Sequence, residues 1–211
     1  MPAFARYRCL AFQDASDKLG ETSSSLTAED GTVPSVYSDL TIKPTQQPRT
    51  TPPTVIFFSG HLRNHTLGYL MHNLVEALPS RGYRVHIATF AKTMDAMSTQ
   101  LAETLRQSGA GTNGSYLILP CAENDGDRVS DAIAAIQALA PDVIVYNDLS
   151  MDGASYLLAQ YRLAPVQVLT MNNGLTSGLP NVDFYVSSDA TEPPNGYHDY
   201  TEQVIRLPGC M

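Results

Sequence analysis

From residue 54 onward the chain repeats one unit: a short β-branched or aromatic run, a polar turn, then a stretch with apolar residues three and four apart. Strands joined through helices can rejoin one sheet only by crossovers, so this repetition predicts an α/β, Rossmann-like fold, mainly parallel, with helices on both faces. Residues 55–58 (VIFF) read as the first buried strand, ended by Gly60. Asn64 can then cap a helix whose buried face is Leu67, Leu70, Met71, Leu74, Val75 and Leu78, closed by Gly82. Further strands are expected at 83–88, with Val85 and Ile87 on one side of the pleat, and at 115–120, 142–146 and 166–169. Later candidates lie at 182–186 and 203–207. Between them, Met94, Met97, Leu101 and Leu105 mark a second helix. Val129, Ala132, Ile133, Ile136 and Leu139 mark a third, capped near Gly126 and Asp127. Asp152 is placed to cap a short fourth through Tyr156, Leu157 and Tyr161.

Residues 1–53 have a different texture. They are rich in Ser, Thr, Pro and Gln, too poor in apolar surface to offset the entropy of ordering them, and the proline-rich end reads as an extended linker. The expected organisation is therefore a disordered tail and linker over 1–53 and one domain over 54–211. With 43% hydrophobic and 16% charged residues the chain can bury a real core. No uninterrupted apolar run approaches the roughly 18 residues of a membrane-spanning helix, and Gln13, Asp14, Asp17 and Lys18 interrupt any signal-peptide core. A cytoplasmic or nuclear protein without a membrane partner is expected. A net charge of −8 with scattered Lys and Arg argues against nucleic acid. Cys9, Cys121 and Cys210 have neither even number nor metal-ligand spacing, so no metal is expected and the thiols read as reduced.

In open parallel sheets ligands gather at the carboxyl ends of the strands, which selects three loops. The first, residues 59–66, runs from the first strand into the clearest helix and carries His61, Asn64, His65 and Thr66. A helix N-terminus disfavours an imidazolium, so a histidine there stays neutral and able to accept or relay a proton. The free N–H groups of the same turn suit a phosphate or sugar hydroxyl. A packing or capping histidine would look the same. The glycine fingerprints of dinucleotide and P-loop sites are absent. The second loop, 147–153, carries Asp148 and Asp152, which fit acid–base or metal chemistry and more readily a turn residue and an N-cap. The third, 171–178, is small, polar and glycine-bounded, as both ligand loops and ordinary turns are.

Several ordered segments together resemble the O-linked N-acetylglucosamine transferases and their Spindly-type relatives. They are residues 163–168 (LAPVQV), Thr176-Ser177-Gly178-Leu179-Pro180, residues 182–185 (VDFY), residues 200–208 (YTEQVIRLP), and the Asn64-His65 loop. The match covers about 54–208 and is strongest after Asp142. The resemblance implies the N-terminal catalytic lobe of a two-lobed enzyme. Its expected reaction is inverting sugar transfer from a UDP-sugar to a protein Ser or Thr hydroxyl, with UDP-sugar as co-substrate and no cofactor or obligatory metal. It also implies His65 beside the donor's sugar and phosphates. Met171, Asn172, Asn173, Gly174, Thr176, Ser177 and Gly178 would line the donor or acceptor pocket, and His61 joins His65 as a catalytic candidate. The chain departs from its relatives in two loop positions. His61 stands where they usually carry an acidic residue, and Asn172-Asn173-Gly174 stands where they carry Gly-Tyr-Pro or Gly-His-Pro. The segment that in relatives leads to the second lobe is where this chain ends. The expectation is half an active site, inactive alone, whose complementary C-terminal lobe is either on another chain or lost from a truncated gene product; the alternative is a non-catalytic Rossmann-fold binding or scaffold module.

Overall fold

The structure, a computed structural model, describes residues 51–91, 93–109, 113–120, 126–151, 153–170 and 174–209. All belong to the second of two units into which the chain divides, residues 51–211. The expectations for residues 1–50 of the 1–53 tail and linker, the three cysteines Cys9, Cys121 and Cys210, the Asp152 cap, and Met171, Asn172 and Asn173 lie outside the described residues, as does the side chain of Asp127.

Seven strands form one sheet among the described residues: β1 (Thr54–Phe58), β2 (Arg84–Thr89), β3 (Tyr116–Ile118), β4 (Val143–Tyr146), β5 (Val166–Thr170), β6 (Phe184–Ser188) and β7 (Gln203–Leu207). Their order is β3-β2-β1-β4-β5-β6-β7 and every pairing is parallel. The helices are α1 (Thr66–Ala77), α2 (Ala96–Gln107), α3 (Gly126–Gln137) and α4 (Gly153–Leu158). The chain first winds outward, β1 to β2 to β3, and α3 then carries it back across β1 to start β4 on the other side. The winding direction therefore reverses between β1 and β4, whose residues Val55 to Phe58 pair in register with Val143 to Tyr146.

The pleat of β1 divides the core in two. Val55 and Phe57 face α1 and α2 with Leu62, Met71, Val75, Val85, Ile87, Leu101 and Leu105, while Ile56 and Phe58 face α3 and α4 with Ala132, Ile136 and Leu158. Phe57 and Phe58 are each 1% exposed, and burial of such a side chain stabilises by about 2–3 kcal/mol. Covering both faces goes with an uninterrupted apolar run over residues 55–58 of β1, as parallel interior strands show.

Several local expectations are corrected. The buried stripe of α1 is Leu67, Gly68, Met71 and Val75, whereas Leu70 and Leu74 are 59% and 46% exposed. Gly68 decides this: a Cβ there would lie 1.9 Å from the Arg63 carbonyl oxygen, so only glycine lets the helix sit this close to its own approach loop. The N-cap of α1 is His65, extended at φ −152° with its Nδ1 accepting from the Leu67 N–H, not Asn64. Leu78 caps the other end, and Gly82, at φ 86°, closes the following 3-10 turn (Pro79–Arg81) instead. Finally, α4 ends at Leu158, and Leu157 and Tyr161 are exposed, as is Met94 before α2. There the helical period is real, but the sheet takes up the Ser155–Leu158 side of α4.

Candidate functional site

The loops that leave β1 and β4 lie side by side at the carboxyl ends of the strands, on either side of the point where the winding reverses. Doubly wound sheets open their ligand crevice at that point, because the flanking helices diverge there. Residues 59–65 follow β1, and Asn147 and Asp148 follow β4.

Asp148 ties the two loops together. Its side chain is 0% exposed, and one oxygen, Oδ2, accepts from the Ser59 hydroxyl at 2.9 Å, from the Gly60 N–H at 2.9 Å and from His61 Nδ1 at 2.7 Å. The Ser59 oxygen in turn accepts from the His61 N–H at 2.9 Å. The other carboxylate oxygen, Oδ1, and the neighbouring Asn147 Oδ1 are both buried without a hydrogen-bond partner, although the Asn147 amide donates to Thr170 Oγ1. Unpartnered buried acceptors are rare in folded proteins.

His61 is 22% exposed at its side chain, and its ring lies 4.6 Å from that of His65. The loop bearing both is clamped from α2 and β3 as well. The Asn64 N–H donates to Asp95 Oδ2 at 2.6 Å, and the Tyr116 hydroxyl donates to the Leu62 carbonyl at 3.2 Å. Asp95 also caps α2 through a reciprocal box with Ser98. The Ser98 backbone N–H and then that of Asn64 hold its carboxyl below the usual range. Asn64 is exposed and its side-chain oxygen accepts from the Tyr69 hydroxyl at 2.6 Å; Thr66 is exposed in the first turn of α1.

Of the third loop, Gly174, Thr176, Ser177 and Gly178 are described. Gly174 and Gly178 occupy the left-handed region at φ 60° and 67°. The hydroxyls of Thr176 and Ser177 are committed to Glu202, a buried carboxylate just before β7. Glu202 Oε2 accepts from Thr176 Oγ1 at 2.7 Å, and Oε1 accepts from the Ser177 N–H at 2.7 Å and from its hydroxyl. Sequence reasoning placed the loop and missed its anchor.

From the sequence, Asp148 reads more readily as a turn residue than as an acid–base group, and Ser59, Asn147 and Asp95 do not stand out. The signal available was a carboxylate at the carboxyl end of a strand; what was missing was that β4 lies beside β1. A separate cavity of about 450 Å³, lined by Arg84, His86, Asn113, Ala138 and Leu139, lies at the start of β2, the wrong end of the strands for such a crevice. Among the described residues no group of three or more His, Cys, Asp or Glu is placed to hold a metal, and no helix is long and apolar enough to cross a membrane.

No family-level sequence profile matches the chain. It is 25% identical over 162 residues to a probable UDP-N-acetylglucosamine–peptide N-acetylglucosaminyltransferase SPINDLY of Solanum lycopersicum, covering 75% of this chain and 16% of that protein. The protein of the same name from Arabidopsis thaliana is 39% identical over 50 residues, 24% of this chain and 6% of that one. Among solved structures, a mutant O-GlcNAc transferase of Thermobaculum terrenum superposes with a TM-score of 0.62 at 21% identity, covering 74% of this chain and 28% of the other. The resemblance read from the sequence is thus borne out: the chain is similar in sequence to Spindly-type transferases and shares the fold of part of an O-GlcNAc transferase. It spans a small share of each of these relatives, between 6% and 28% of their length.

Proposed function

We propose that this chain is a glycosyltransferase-like domain that, paired with a complementary lobe, transfers a sugar from a UDP-sugar to a Ser or Thr hydroxyl of a protein. The observation that carries this reading is the constellation at the β1/β4 switch point. Two histidines, a buried carboxylate and an orphaned amide oxygen converge where a parallel α/β sheet binds its ligand. Sugar transfer of this kind needs a held acceptor, a group to take its proton and donors for the departing diphosphate. The switch-point loops offer both donors and acceptors for such a substrate. An apolar flank beside the site supports a complementary lobe. Tyr69 and Leu70, one turn into α1, are 58% and 59% exposed.

Calorimetry of UDP-N-acetylglucosamine with the chain, in the presence of the missing lobe of a related transferase, tests the proposal. Binding that falls at least tenfold in His65→Ala, together with transfer to a Ser/Thr peptide, supports it. Absence of binding in that assembly overturns it. Binding without transfer assigns the chain to the non-catalytic class of sugar-nucleotide modules.

A further inference from the structure

The two histidines hold their protons on opposite nitrogens, and this separates their chemistry. Three donors converge on Asp148 Oδ2, so that oxygen can only accept, and His61 must place its proton on Nδ1 to meet it at 2.7 Å. In neutral His61 the lone pair is then on Nε2, the nitrogen away from the carboxylate. In His65 the order is reversed: Nδ1 accepts the Leu67 N–H at 3.3 Å, which puts the proton of the neutral ring on Nε2. The ring centroids are 4.6 Å apart, so a ring that carries its proton on Nδ1 stands next to one that carries it on Nε2.

We infer that His61, oriented by Asp148, is the group that deprotonates a bound hydroxyl at this site, and that His65 is not. On the reading proposed above, the acceptor O–H gives its proton to His61 Nε2 as its oxygen bonds the anomeric carbon of the sugar. The bond from that carbon to the phosphate oxygen breaks, and its electron pair leaves on UDP. The imidazolium formed on His61 lies against the buried Asp148 carboxylate, which stabilises the charge without taking the proton. Asp148 is a positioning residue: it acts only by fixing the tautomer and orientation of His61. Its second oxygen and the Asn147 oxygen, both without partners, leave two acceptors nearby for the approaching hydroxyl or its solvent. This chain therefore supplies its own proton acceptor, in a loop where its relatives usually carry an acidic residue.

Long-range nitrogen–proton NMR of the full chain labelled with 15N-histidine, at neutral pH, reads the tautomer of each ring directly. His61→Gln and His65→Gln assign the two signals. The expected result is His61 protonated on Nδ1 with an unprotonated Nε2, and His65 the reverse. In Asp148→Ala, which removes the acceptor oxygen, the His61 signal moves to the Nε2–H form that free imidazole prefers, while the His65 signal stays. A merely structural Asp148 would leave the His61 tautomer unchanged. Finding Nε2–H on His61 in the unsubstituted chain, or both of its nitrogens protonated, overturns the inference, and that spectrum needs no variant to fold beyond the two used for assignment. The outcome is independent of nucleotide binding. Expected tautomers in a chain that binds no UDP-sugar would remove the glycosyltransfer reading and leave the hydroxyl-activating pair standing.

Discussion

Replacing Asp148 with alanine removes one oxygen that three donors share: the Ser59 hydroxyl, the Gly60 N–H and His61 Nδ1. These donors do not lose equally. The Ser59 hydroxyl can rotate to another acceptor, and the His61 ring, 22% exposed, can recover part of its loss to water. The Gly60 N–H, fixed in the backbone and part-buried, loses most. A buried donor left without a partner costs about 1–3 kcal/mol, so one full loss and one or two partial ones give about 3 kcal/mol. Against this, the alanine variant no longer buries a carboxylate whose Oδ1 has no hydrogen bond, and that relief trims the net cost to about 2–3 kcal/mol. At about 2–4 °C per kcal/mol for a chain of this size, the melting temperature falls by about 4–12 °C. Asp148→Asn keeps an acceptor oxygen and loses only the charge, so it costs about 1 kcal/mol. Urea unfolding followed by far-UV circular dichroism gives both values if the m-value is unchanged. Asp148→Ala within about 0.5 kcal/mol of the parent, or Asp148→Asn as costly as Ala, refutes the reasoning.

Glu202→Ala strands the buried Ser177 N–H and releases the 174–178 loop; a loss of about 2–4 kcal/mol is expected, with faster amide exchange at Ser177 and Leu179 as the check. Gly68→Ala drives a methyl into the Arg63 carbonyl and should cost about 2–3 kcal/mol or more while shifting the amide resonances of residues 61–66; chemical denaturation and an NMR fingerprint read both. His86, 6% exposed beside Arg84, has its pKa lowered to about 4 by burial first and by the Arg84 charge second. Its neutral form is favoured in the folded chain, so its contribution is intact above pH 6.5 and is lost as pH falls from 6.5 towards 4. The unfolded chain binds the proton first. That is worth at most about 3 kcal/mol, and His86→Phe should show a correspondingly smaller drop in stability between pH 7 and pH 4.5.

The strands were legible because each is a short apolar run, and parallel order followed from their alternation with helices. Where the reading slipped, the cause is long-range. In α1 two stripes compete, Leu67-Met71-Val75 and Leu70-Leu74, and only the close approach at Gly68 selects the first. In β6 the strand runs two residues past the expected 182–186, because Ser187 and Ser188 are buried polar residues satisfied by Glu192 and Thr191 rather than turn residues. The two histidines were visible from their place after the first strand. The role of Asp148 was not, because it depends on β4 returning to lie beside β1, a pairing across 87 positions that no local pattern encodes.

The central claim is that the β1/β4 switch point is the ligand site. Titrating UDP-N-acetylglucosamine into the 15N-labelled chain, with the complementary lobe unlabelled, locates binding residue by residue. The account predicts shifts concentrated at Ser59 to Thr66, Asn147 and Asp148, with Arg84, His86 and Asn113 unmoved. Shifts confined to the cavity at the start of β2, or spread evenly with none at His61 and His65, would contradict it.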